Sequence, residues 1–242
     1  MNDLLQLRTA IIGLIGFAAV EEELLLAAAH RTAAEQGSPS SWAAAPLVAH
    51  NTEFKRQQVR RLEAIHLGQT PPDFAEIDHR SGDVYRGYRQ HSADQVARDS
   101  GEVTAALIDG LAATSDDDLL DPSRNPWLNG RQLALQLIVR GFWHPTGHIG
   151  EYYNGHAQPD RACALQSQAV AVAGYLKAPD AARGMAYFNL ACAQAQAGHL
   201  GDALGSLRQA IELNSDLRAN ASRDPDLAVL RDSGQLEPLL GR

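Results

Sequence analysis

Residues 130–154 read GRQLALQLIVRGFWHPTGHIGEYYN. Leu133, Leu137 and Phe142 fall on one stripe, the mark of a helix with a single apolar face. A helix is expected from about Gly130 to Asn154. His144 and His148 stand four residues apart within it. On a helix that spacing puts both imidazoles on one face, where they can meet one metal ion. Pro145 lies between them. A proline inside a helix removes a backbone hydrogen bond and crowds the preceding turn, so a kink is expected between the two histidines.

Working outward, helical spacing dominates the flanking sequence. Leu4, Leu7, Ile11, Leu14, Ala18, Leu25 and Ala28 keep the period from about Asn2 to Glu35, where the breaker cluster Gly37-Ser38-Pro39 follows. A second helix is expected from the region of Ala43 to Pro46 through Leu67, stopped by the residues GQTPP (Gly68 to Pro72). A third is expected from Gly82 to Ala113. The stretch SDDDLLDPSRNP (Ser115 to Pro126) reads as a loop rich in turn formers. No run of alternating β-branched residues suggests a strand. The expected fold is all-α, with a four-helix bundle over residues 1–156.

Two histidines make a weak site, and His50 on the second helix is the candidate third ligand. Imidazole suits zinc, nickel, iron or copper. Three protein ligands leave an open position for water or substrate, the pattern of a catalytic metal rather than a structural one. Glu53 and Glu151 each follow a proposed ligand by three residues. Either can orient an imidazole or act as a general base, and either can be only a solvated charge. Trp143, Tyr152 and Tyr153 cluster nearby, as bundle-end packing or as a pocket wall. His30, His66, His79, His91, His156 and His199 have no partner at metal spacing and read as surface or core residues.

The pattern resembles the DinB-like family of four-helix bundles. The matching text is Pro46-Leu47-Val48-Ala49-His50-Asn51 with Glu53, and Phe142-Trp143-His144-Pro145-Thr146-Gly147-His148-Ile149. The resemblance covers about residues 1–156. It implies a divalent metal, nickel or zinc, held by His50, His144 and His148. It also implies an activity of the hydrolase or thiol-dependent transferase type on a small molecule, and a homodimer. Pro145 departs from a plain HxxxH helix.

Beyond Gly155 the chain turns Ala-rich, and a boundary is expected near Gly155 to Pro159. Residues 184–217 read GMAYFNLACAQAQAGHLGDALGSLRQAIELNSDL. Two helices are expected to meet at Ala197-Gly198-His199. The first would bury Tyr187, Leu190, Ala191 and Gln194, the second Ala203, Leu207, Ala210 and Ile211. This looks like one tetratricopeptide repeat, with Ser215 in place of the usual closing proline. Residues 161–177 and the short helices of 216–240 would flank it within a segment of 160–242. The repeat implies a protein partner or self-association, or a structural extension.

The bulk composition narrows the alternatives. A net charge of −8 with no basic block argues against a nucleic-acid partner. The apolar run Thr9 to Val20 is flanked by Asp3 and by Glu21, Glu22 and Glu23, and is too short to span a bilayer. A cytoplasmic protein without a membrane segment is expected. Cys163 and Cys192 lack metal-type spacing and read as small buried thiols, with a disulfide as the alternative. Two functional classes remain: a metal-dependent enzyme, and a non-enzymatic scaffold acting through its tail.

Overall fold

The structure is a computed structural model that describes residues 2–29, 42–72, 87 and 91–240. Among these residues every regular element is helical, as expected. The chain divides into two compact units, Met1–Pro145 and Thr146–Arg242.

The first unit begins with α1 (Asn2–Ala29). Its buried stripe holds Ile11, Leu14, Ala18 and Leu25. The expected extension to Glu35 and the breaker Gly37-Ser38-Pro39 lie outside the described residues, as do His30 and His79. No described helix is long and apolar enough to cross a membrane.

Helix α2 spans Ala44–His66. Pro46 sits in its first turn, where a missing N–H leaves no helical bond unmade. The helix ends because Gly68 adopts φ +66°. Gln69 then donates to Ala64 O at 2.8 Å and Gly68 to Ile65 O at 3.0 Å, which satisfies the last carbonyls.

Helix α3 covers Ala93–Ala113. The expected start at Gly82 is corrected at its near end. Ser92 is extended, its hydroxyl accepts from Gln95 N, and its own N–H donates to the Gln95 side chain at 2.8 Å. This reciprocal cap begins a helix at residue 93. Of the residues 82–90 only Gly87 is described.

The acidic stretch expected as a loop is partly helical. Ser115 caps a short α4 (Asp116–Leu120), and two 3-10 turns follow, Pro122–Arg124 and Pro126–Leu128. Aspartates in a first turn suit the positive end of the helix dipole, which offsets their poor intrinsic helix propensity.

Next come α5 (Leu133–Ile138), a π-helical turn (Val139–Trp143) and α6 (His144–Gly155). Helix α2 packs on α3, and α1 packs on α3, α5 and the π turn. Leu47, Val48, Leu62, Leu107, Leu111, Leu137 and Phe142 fill the core between them. Phe17 meets Phe142 edge to face at 6.2 Å. A Cβ on Gly141 would stand 2.6 Å from Ile15 Cγ1, so only glycine lets the π turn and α1 come this close.

A charge pair lies inside this apolar packing. Lys55 on α2 and Glu22 on α1 are each 1% exposed and 2.6 Å apart. Lys55 Nζ also donates to Thr104 at 3.1 Å, and Ser100 donates to Glu22 at 3.2 Å, both from α3. Lys55 and Ser100 both meet Glu22 Oε2, while Oε1 is buried without a hydrogen-bond partner among the described residues, so the charge is only partly compensated.

The second unit contains α7 (Pro159–Tyr175), α8 (Asp180–Gln196) and α9 (Leu200–Leu213). The change in composition suggested a boundary near Gly155 to Pro159, and the contact division falls at Pro145, inside the first turn of α6. Helix α8 ends at Gly198 (φ +81°), with His199 donating to Gln194 O at 2.8 Å. The turn therefore falls where Ala197-Gly198-His199 was expected. Ala203, Leu207, Ala210 and Ile211 are buried as expected. Tyr187 and Gln194 are only half-buried, because Met185 and Phe188 take the core side of α8. The chain closes with α10 (Leu217–Ala221), a 3-10 turn (Pro225–Leu227), α11 (Ala228–Asp232) and α12 (Glu237–Leu240). Both cysteines are free, so the alternative of a disulfide is not realised.

Candidate metal centre

His50 projects from the second turn of α2 and is 3% exposed. Its ring lies 5.2 Å from Trp42, 4.7 Å from Phe54 and 5.3 Å from His144, centroid to centroid. Phe54 is one turn further along α2 and also touches His144, at 4.5 Å. Arg140 lies over the Phe54 ring at 4.6 Å. The aromatic wall formed by Trp42 and Phe54 was not singled out in the sequence. The i,i+4 relation of His50 to Phe54 is the signal that could have found half of it.

The α-helical run expected to be disturbed between His144 and His148 is continuous there, with His144 itself in ordinary helical geometry. The ladder is rearranged before the histidines instead. Val139–Trp143 adopt the wider π turn, and His144 N–H reaches back to Val139 O. A π turn takes up the bond that Pro145 cannot make and relieves its ring from the carbonyl four residues back. Pro145 then sits in the first turn of α6, where proline fits. His144 and His148 both fall within α6, one regular turn apart, so that helix alone sets their relation.

One ligand atom each from His50, His144 and His148 lie within 4.8 Å of one another. Tetrahedral zinc with three imidazoles needs nitrogens about 3.3 Å apart, from metal–nitrogen bonds of about 2.0–2.1 Å. Modest side-chain rotations span that difference. Three neutral nitrogen donors also match what zinc and nickel accept. The residues present therefore fit a divalent metal.

Glu151 falls beside this group. Its Oε2 accepts from His148 Nδ1 at 2.7 Å. That bond places the proton on Nδ1, so Nε2 is the ring nitrogen that carries the lone pair. Glu53 is placed otherwise. It accepts from Arg56 Nε at 3.2 Å, while Arg56 also grips both carboxylate oxygens of Asp99 at 2.7 Å. The geometry thus gives the two glutamates different surroundings, an imidazole for Glu151 and a guanidinium for Glu53.

Tyr152 and Tyr153 are buried, 7% and 4% exposed, and meet edge to face at 5.8 Å. Tyr152 stacks on His156 at 3.9 Å and Arg161 covers Tyr153 at 4.6 Å, so both rings serve packing in the second unit. His66 Nε2 donates to Thr114 Oγ1 at 3.0 Å, since that hydroxyl gives its own proton to Gly110 O. His91 and His199 are exposed.

Comparison with protein-family models, with curated proteins and with solved structures yields no match.

Proposed function

We propose that this protein is a divalent-metal-binding bundle of the DinB-like type, with a tetratricopeptide-like tail, that acts on a small molecule. The observation that carries the reading is the convergence of His50, His144 and His148 to within 4.8 Å, from separate places in the chain. The packing of α1, α2, α3 and α5 in the first unit supports a four-helix arrangement. The α8–α9 hairpin supports the reading of the tail.

In this reading the three imidazoles hold zinc or nickel. When bound, such a cation supplies Lewis acidity and an open position for a substrate oxygen or sulfur. The chain supplies the rest. Glu151 keeps the His148 proton on Nδ1. Trp42 and Phe54 hold the His50 ring and keep water from its flank. The reaction class is hydrolysis or thiol transfer.

A second reading gives the protein a scaffold role through its tail, and the hairpin favours it equally. One measurement separates them. Full-length protein is purified without chelators, and its metal content is compared with that of His148→Ala. The enzyme reading expects the variant to hold about one equivalent of zinc or nickel less than the parent. An equal metal content in both proteins sinks it and leaves the scaffold.

A further inference from the structure

The second unit holds another convergence of metal-ligating groups, independent of the three histidines. Cys192 lies on α8, one turn before Gln196, and faces the turn Asp224-Pro225-Asp226. Its Sγ and one oxygen from each aspartate lie within 4.8 Å of one another. The donors are 32 residues apart in sequence, so no spacing motif announces them.

The turn is held rigidly without help from a ligand. Leu227 and Leu230 are fully buried and anchor it. Asp224 Oδ1 accepts from Asp226 N at 2.9 Å, and Gln196 donates to Asp226 Oδ1 at 2.9 Å. Arg231 donates to the main-chain oxygen of Asp224 at 3.0 Å. Each aspartate keeps its Oδ2 outside these bonds.

The thiol is the second observation. Cys192 is 8% exposed, and among the described residues none hydrogen-bonds it. A buried cysteine normally faces apolar neighbours. This one is aimed at two carboxylates, an arrangement that is unfavourable unless a cation or a proton lies between them. Burial, together with Asp224, Asp226 and Glu151, pushes the thiol well above its usual range. Burial, with Asp224 and Glu151, raises Asp226 to about 6.

We propose that Cys192, Asp224 and Asp226 form a second divalent-cation site, selective for zinc-class ions. The donor set decides the class. Calcium and magnesium take oxygen ligands, and a thiol serves neither. Copper(I) favours all-sulfur surroundings. Zinc accepts one sulfur at about 2.3 Å and two carboxylate oxygens at about 2.0–2.2 Å. Both aspartates are half-exposed, which gives the ion an entry path. On binding, the thiol releases its proton to solvent and Sγ donates its electron pair to the cation.

Cobalt(II) tests this, because thiolate coordination gives a near-ultraviolet charge-transfer band that imidazole coordination does not. Metal-free full-length protein is titrated with cobalt(II), alongside a His50→Ala/His148→Ala variant. The band is expected in both proteins, to saturate at one equivalent in the double-histidine variant, where no imidazole site competes, and to bleach on adding zinc. Cys192→Ser should abolish it, Cys163→Ser should leave it unchanged, and Asp226→Asn should weaken cobalt binding at least about tenfold. Circular dichroism checks that the variants fold. If Cys192→Ser does not fold, the half-exposed Asp226→Asn decides. No band at millimolar cobalt, a band that survives Cys192→Ser, or one insensitive to Asp226→Asn would overturn the proposal. Loss of the band only in the double-histidine variant would also overturn it, by assigning the cobalt elsewhere.

Discussion

Glu151 stands one turn beyond His148 on α6 and accepts the proton of its Nδ1 at 2.7 Å. Such outer carboxylates set the ring orientation and basicity of a ligating imidazole. Glu151→Ala should therefore weaken zinc binding about 10–100-fold with all three histidines still present. Glu151→Gln, which can still accept through its amide oxygen, should lose less. Competition against a chromophoric chelator reads both. Unchanged affinity in Glu151→Ala would remove its orienting role.

Lys55 and Glu22 make the opposite kind of pair, each only 1% exposed. Lys55→Ala leaves an unpaired carboxylate in the core and should cost about 3–5 kcal/mol. The double variant Lys55→Met/Glu22→Leu removes both charges and should come within about 1 kcal/mol of the parent, or exceed it. Urea unfolding of the three proteins measures this. A single variant as stable as the parent would show that water reaches the pair.

Gly141→Ala drives a methyl group into Ile15, whose Cγ1 would be 2.6 Å away. Overpacking of this kind costs about 1–3 kcal/mol. Ile15→Ala is costly alone, by cavity formation, and should cost less in the Gly141→Ala background. Additive losses would mean that α1 shifts instead of the side chain.

Asp118 offers a titration to follow. Burial pushes its pKa up, but the Ser115 hydroxyl and the Arg124 guanidinium, 2.5 Å from Oδ1, outweigh burial and hold it below the ordinary 3.8. A carboxyl depressed in the folded state contributes stability above its unfolded pKa and loses it as pH falls through the folded value. Carbon-detected NMR should find Asp118 titrating below the ordinary value, and Arg124→Ala should raise it. No movement in that variant would leave Ser115 as the group responsible.

The legible and illegible parts of this chain divide along physical lines. Helix α2 could be read to within a residue or two because Leu67-Gly68 requires a left-handed turn there. The convergence of three histidines was legible because α6 fixes two of them and a second helix carries the third. The Lys55–Glu22 pair was missed because Glu22 was read with its neighbours as a charged flank. Its helical phase, four beyond Ala18 and three before Leu25 on the buried stripe, was the available clue. Cys192 with Asp224 and Asp226 had no local clue at all, since their meeting is made by the packing of a late turn on α8.

The step from Leu137 to Phe142 is five residues, yet both are fully buried. The widened turn between them holds one residue more than an ordinary turn. Helical phase beyond it is therefore set by a count of residues and by no single side chain. Deleting any one residue of 139–143 would rotate His144 by about 100° relative to α5 while sparing every ligand. In this stretch a deletion is the harshest lesion, so length is a quantity the segment protects alongside its buried side chains.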